Sequence, residues 1–155
     1  MEFSDNGIAI LKSLEGFRST AYPDSGGKMT IGYGHLIVKG DGTCVGDILE
    51  DVQATGLLKQ DVQKAVTCVN GCVTIPLNQN QFDALVIFAY NVGNSALQNS
   101  SLLTCLNAGD TDTAAAKFLD WDKVHNAQGM FVEVTGLKNR RLAEQNLFLT
   151  QEVVA

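Results

Sequence analysis

The spacing of apolar residues changes twice along the chain, and the changes mark three stretches. Ile8, Leu11 and Leu14, with Ile10 beside them, recur at helical spacing behind Ser4 or Asp5, either of which suits an N-cap. Gly16 supplies the stop, because glycine tolerates the left-handed conformation that follows a helix C-terminus. This pattern predicts a first helix over roughly residues 5 to 15. From Phe17 to about Val45 six glycines (Gly26, Gly27, Gly32, Gly34, Gly40, Gly42) are interleaved with Thr, Tyr, Ile and Val. Pro23-Asp24-Ser25-Gly26-Gly27 is turn chemistry between Arg18–Tyr22 and Met29–Tyr33, which predicts a small antiparallel hairpin or three-stranded sheet.

Everything after Asp47 reads as helix. Leu49, Val52, Leu57, Val62 and Val66 form one irregular stripe, on a helix from about 48 to 68. Asn78-Gln79-Asn80-Gln81 has capping-box spacing ahead of Phe82, Leu85, Phe88, Ala89 and Val92. The Gln81–Val92 helix has apolar residues on nearly every side, which marks it as the central core helix, and Gly93 ends it. Ser100 or Ser101 caps a short helix through Leu106, Asp110 begins another through about Phe118, and a last one runs from Leu137 to Phe148. On that last helix Arg140 and Glu144 form an i,i+4 supporting pair.

Composition then removes several function classes. The chain has 155 residues, enough for one domain or two small lobes sharing a helix, and a net charge of −6. Such a surface repels phosphate backbones, so nucleic acid is not an expected partner. The N-terminus Met1-Glu2-Phe3-Ser4-Asp5 has no basic region followed by an apolar run, so no secretion signal is read there, and nothing approaches a transmembrane helix. Cys44, Cys68, Cys72 and Cys105 are too few and scattered for a disulfide framework. A Cys68–Cys72 bridge needs a turn in the backbone, and free thiols are the favoured reading. His35 and His125 add no usable ligand spacing, so no metal and no cofactor is expected. Gly26-Gly27-Lys28-Met29-Thr30 resembles a phosphate loop at a glance, but Met29 stands where Ser or Thr is needed and Tyr22 where the first glycine is needed.

The chemistry gathers around Glu15. A carboxylate at a helix C-terminus faces the negative end of the macrodipole, and partial burial further disfavours its charged form, as a general acid requires. Asp24 lies at a hairpin tip, where backbone amides and water keep a carboxylate ionised. Two carboxyls in opposed environments are the working pair of a glycosidase. Thr30, on the returning strand, offers a hydroxyl to hold a water beside Asp24. Taken singly, each feature is common in ordinary structure; a glutamate before a capping glycine and a Pro-Asp-Ser-Gly turn both occur without function.

Whole segments carry the case further. Leu14-Glu15-Gly16-Phe17-Arg18, Ala21-Tyr22-Pro23-Asp24 and Thr30-Ile31-Gly32-Tyr33-Gly34-His35 closely resemble the phage T4-type lysozymes, the endolysins of glycoside hydrolase family 24. Gln81-Phe82-Asp83-Ala84-Leu85-Val86, Asn91-Val92-Gly93, Ser101-Leu102-Leu103, Trp121 and Asn139-Arg140-Arg141 are similar to the same family, over roughly residues 5 to 149.

The resemblance implies an α+β lysozyme-like fold. A small β-hairpin lobe (about 13–60) and a larger, mostly helical lobe (about 61–155 plus the N-terminal helix) would be joined by a long helix, with the sugar chain in the cleft between. It implies a Glu15-Asp24-Thr30 triad cleaving peptidoglycan between N-acetylmuramic acid and N-acetylglucosamine. His35 would support the catalytic glutamate, and Leu36, Tyr90 and Ser101 would line the saccharide cleft. The stretch Val124–Thr135 departs most from T4-type chains. Arg140 and Arg141 are read as structural ion pairs rather than contacts to peptide stems. The implied partner is bacterial peptidoglycan, met by a monomer without membrane insertion. A holin opens the way from host cytoplasm to cell wall without itself binding the enzyme. Two rival readings are a lytic transglycosylase, which needs only a lone glutamate, and a non-catalytic wall-binding module; Asp24 and Thr30 argue against both.

Overall fold

The computed structural model describes residues 1–152 and groups them into two compact units, residues 8–63 and residues 1–7 with those from 64 on. In the first unit lie most of helix α1 (Asp5–Glu15), strands β1 (Arg18–Pro23), β2 (Met29–Gly32) and β3 (His35–Leu36), and helix α2 (Asp51–Asp61). The strands form one antiparallel sheet in chain order, with a register shift between Arg18 and Tyr22. Ile8, Leu11, Ile31, Tyr33, Ala54, Leu58 and Val62 are its buried apolar residues.

The second unit holds α3 (Gln63–Cys72, from Lys64 on), α4 (Gln79–Val92), α5 (Asn94–Gln98), α6 (Ser101–Asn107), α7 (Thr111–Lys117), a 3-10 turn at Phe118–Trp121, strands β4 (Lys123–His125) and β5 (Phe131–Glu133), and α8 (Thr135–Leu149). Every residue from Phe82 to Ala89 on α4 is buried, so the central helix is where its apolar pattern put it. Phe88 meets Phe118 and Trp121 edge-on, with ring centroids 5.2 and 5.6 Å apart, and Phe118 packs on Phe148.

Cap chemistry sets the helix starts. Ser4 Oγ accepts from the Gly7 amide at 3.0 Å and donates to the buried carboxylate of Asp83. Asn78 and Gln81 exchange both capping-box hydrogen bonds, at 2.8 and 3.0 Å. Ser100 and Asp110 cap α6 and α7.

Three expectations change. The helix expected from 48 to 68 is two, α2 and α3, with a turn at Val62 between them. Its apolar stripe is also different: Val52 is 80% exposed, whereas Ala54 and Leu58 are buried. The stretch after Val124 is a second hairpin, β4–β5, paired Val124↔Val132 and His125↔Phe131. The expected i,i+4 pair of Arg140 and Glu144 is present, and it lies in the interior. Both are buried, and Glu144 meets Arg141 at 2.9 Å as well as Arg140 at 3.3 Å. Arg141 stacks on Phe88 and donates to Asn91, and burial holds its guanidinium below the ordinary value.

The four cysteines are free. Helix α3 stays helical through Cys72, and side chains four apart on a helix have Cβ atoms about 5–6 Å apart. A disulfide needs about 3.5–4.5 Å, so bridging Cys68 to Cys72 requires unwinding the last turn. Burial and the neighbouring Cys68 push the Cys72 thiol up to about 11. No helix among the described residues is long and apolar enough to cross a membrane.

Candidate active site

Glu15 is the last residue of α1 and is half-buried. The Gly16 amide returns to the Lys12 carbonyl at 3.0 Å, which closes the helix directly behind it. Gly34 lies next to the carboxylate: a Cβ on Gly34 would be 3.6 Å from Glu15 Oε2. Gly34 also has φ +85°, a conformation that side chains resist. Backbone therefore comes close to Glu15 where another residue type would put a side chain.

Asp24 opens the turn between β1 and β2, and is exposed. Its amide donates to the Lys28 carbonyl at 2.8 Å, and the Gly27 amide returns to its carbonyl at 2.9 Å. Its Oδ1 accepts from the amides of Gly26 and Lys28, both at 2.8 Å. Oδ2 accepts from none of the described residues, so the carboxylate is fixed by one oxygen and open at the other.

Thr30 is buried at 4% exposure on β2. Its hydroxyl donates to the Lys28 carbonyl at 3.1 Å, the same carbonyl that takes the Asp24 amide. A hydroxyl has one proton, so Thr30 Oγ1 is left as an acceptor toward anything else that approaches. Tyr22, Thr30 and Leu36 are directly opposed across the three strands, which puts their side chains on one face of the sheet. Leu36 is 40% exposed on that face.

His35 is buried, with Nδ1 2.8 Å from Asp61 and Nε2 3.1 Å from Asp41. Asp41 also accepts from the Thr43 hydroxyl and amide and from the Val38 amide. Together these hold its carboxyl well below the usual carboxylate range. His35 is thus tied to a loop and to the end of α2.

Glu15, Asp24, Thr30, His35 and Leu36 all belong to the unit of residues 8–63. Tyr90, half-buried near the end of α4, and Ser101, exposed as the first residue of α6, belong to the other. Sequence reasoning missed a cluster next to Glu15. Lys12 reaches both oxygens of Asp51 at 2.9 and 3.0 Å, and the Tyr33 hydroxyl donates to Asp51. Tyr33 lies within the Thr30–His35 segment, but Lys12 and Asp51 are 39 positions apart and no local pattern links them. Among the described residues no group of His, Cys, Asp and Glu is arranged to hold a metal ion.

A helix ending in a glutamate, followed by a small antiparallel sheet and a helical remainder, defines a lysozyme-like protein. The match can be made narrower: the phage lysozyme family profile covers residues 12–144, and the chain belongs to that family. It is 36% identical to an endolysin of Acyrthosiphon pisum secondary endosymbiont phage 1, over 96% of this chain and 98% of that one. It is 42% identical to an endolysin of Bacillus phage B103 over 98% of its own length, but spans only 56% of that protein. Among solved structures, the endolysin from Escherichia coli O157:H7 phage FAHEc1 is similar with a TM-score of 0.88 and 39% identity, covering 96% of this chain and 94% of that one.

Proposed function

We propose that this lysozyme hydrolyses the β-1,4 bond between N-acetylmuramic acid and N-acetylglucosamine with inversion, Glu15 acting as general acid and Asp24 with Thr30 delivering the water. Peptidoglycan hydrolysis for host lysis is the activity of its family. The observation that carries the assignment of roles is the pair of hydrogen bonds on the Lys28 carbonyl. Thr30 spends its proton there, so it accepts a hydrogen from a water; Asp24 Oδ2, with no described donor, accepts the other. A water held by both hydrogens presents its lone pair to the anomeric carbon. As the bond to the leaving oxygen breaks, Glu15 protonates that oxygen and Asp24 takes the water's proton. Inversion requires carboxyls about 6.5–9.5 Å apart, to leave room for that water.

In the same reading Leu36, Tyr90 and Ser101 contact the glycan, His35 braces the sheet behind the triad, and the protein works as a monomer. It reaches the wall from the host cytoplasm through holes made by a holin, and lyses intact cells poorly from outside without a permeabiliser. Turbidity loss of chloroform-treated Gram-negative cells tests the acid: Glu15→Gln should clear on the order of 10²–10⁴-fold more slowly than wild type. Equal clearing removes Glu15 from the mechanism. Mass spectrometry of the released muropeptides tests the reaction. Hydrated reducing ends are expected, and 1,6-anhydro ends would make the enzyme a transglycosylase.

A further inference from the structure

The groups on either side of Glu15 are held from a single point outside the triad. Lys12, one turn earlier on α1, carries its Nζ 2.9 and 3.0 Å from the two oxygens of Asp51. Asp51 is the first residue of α2. Tyr33, adjacent to the Gly34 that faces the Glu15 carboxylate, donates its hydroxyl to the same Asp51. The Lys12 ammonium also sits 5.1 Å from the centroid of the Tyr33 ring, and Phe17, two residues beyond Glu15, packs on that ring at 5.4 Å. The end of α1, the turn after β2 and the start of α2 therefore meet at one carboxylate.

An exposed ion pair of this kind contributes little to stability. Its effect is geometric, because Asp51 joins the segment that carries Glu15 to the segment the Glu15 carboxylate lies against. We propose that Asp51 is a positioning residue for the general acid, fixing through Lys12 and Tyr33 where the Glu15 carboxyl stands relative to the bond it protonates. The proposal rests on the reading of Glu15 as the acid. Asp51 touches no reacting atom. The cluster also keeps its charges across the neutral range. Tyr33 and Lys12 hold the Asp51 carboxyl low, Asp51 holds the Lys12 ammonium up, and burial, more than the Asp51 bond, raises the Tyr33 phenol.

The test measures kcat and KM on labelled, purified peptidoglycan sacculi, well below the unfolding temperature of each variant. Asp51→Asn and Tyr33→Phe should each lower kcat about tenfold with KM within about twofold, since misplacing a catalytic group penalises the chemical step more than binding. The double variant should lose no more than the worse single, because both remove the same link. Lys12→Arg, which keeps a cation for Asp51, should restore most of the rate that Lys12→Ala loses. Wild-type kcat in Asp51→Asn and Tyr33→Phe overturns the proposal, as does a rise in KM at constant kcat. Tyr33→Phe keeps the buried ring, so it reports even if Asp51→Asn folds poorly. Glu15→Gln runs alongside: its full activity overturns the acid assignment, whereas an inactive Glu15→Gln beside a fully active Asp51→Asn overturns the positioning role alone.

Discussion

Two hairpins in this chain close with the same turn, and only one of them carries the residues proposed to deliver the water. In the first, Asp24 N–H donates to the carbonyl four residues on at 2.8 Å; in the second, Asn126 N–H does the same to Met130 at 2.8 Å. The fourth residue of each turn returns its amide at 2.9 Å, Gly27 to Asp24 and Gly129 to Asn126. The third and fifth amides donate to the leading side chain's Oδ1, at 2.8 Å each in one and 3.0 Å each in the other. Six residues after the leader comes Thr30 in the first hairpin and Val132 in the second, each directly opposite the residue two places before the leader. Asn for Asp and Val for Thr are near-isosteric exchanges that delete a charge and a hydroxyl. The second hairpin therefore shows that the turn requires an oxygen acceptor, not a carboxylate. What folding does not require at Asp24 is the second, open oxygen, which is the part assigned to the water.

The largest effect expected from this comparison comes from moving the second hairpin's residues into the first. Asp24→Asn should keep the turn, because Asn126 makes the same four bonds, and should lower turnover on the order of 10²–10⁴-fold, the range for losing a general base. Thr30→Val should also lower activity, and it should cost about 1 kcal/mol of stability for the lost bond to Lys28. The reverse exchange, Asn126→Asp, should leave both activity and fold as they are. Peptidoglycan clearing with thermal unfolding followed by circular dichroism reads all three. An Asp24→Asn chain that unfolds well below wild type would mean the carboxylate is structural after all.

A smaller effect separates the glycines of the two turns. Gly27 and Gly129 have φ +78° and +76°, and neither has a neighbouring atom in the way of an added Cβ. Gly27→Ala and Gly129→Ala should thus cost a similar amount, about 1–2 kcal/mol each, from backbone strain alone. Activity should part them: only Gly27→Ala tilts Oδ2 of Asp24 and slows turnover. Denaturant titration gives the first quantity and clearing rates the second.

How much of this could be read from sequence followed from how local each signal is. Helix α1, the capping box at Asn78 and Gln81, and the first hairpin's turn are set by residues within five positions of each other, and all were visible. The second hairpin has a near-isosteric leading residue, Asn126 for Asp24, and a glycine at the same place, yet was not foreseen. Its strands are three residues long and exposed on both faces, Phe131 at 67% and Val124 at 42%, so burial imposes no alternation on them. Helix α5 is only five residues long, too short to show a period. The proposed triad rests on whole-segment resemblance, whereas Lys12 with Asp51 and His35 with Asp61 join positions 39 and 26 apart that no spacing rule connects.

The smallest effect concerns what stands behind the first sheet and is absent from the second hairpin. His35, paired with Ile31 on β2, is held by Asp41 and Asp61, whereas His125 on β4 is exposed and meets only the Phe131 ring at 4.0 Å among the contacts of its own hairpin. The Asp41 carboxyl is depressed first by Thr43, through hydroxyl and amide, then by the Val38 amide, with His35 a lesser cause. A group whose folded value lies below its unfolded one stabilises the protein fully above the unfolded value, about 3.9 for an aspartate, and loses that contribution as the pH falls through the folded value. Asp41→Asn should therefore be less stable than wild type at pH 7, with the gap closing below about pH 4, where the unfolded wild-type chain takes up a proton on Asp41 before the folded protein does. Unfolding midpoints of both proteins across that range check it. A gap of constant size down to strong acid would assign the loss to packing and remove the ionised Asp41 from what braces the sheet.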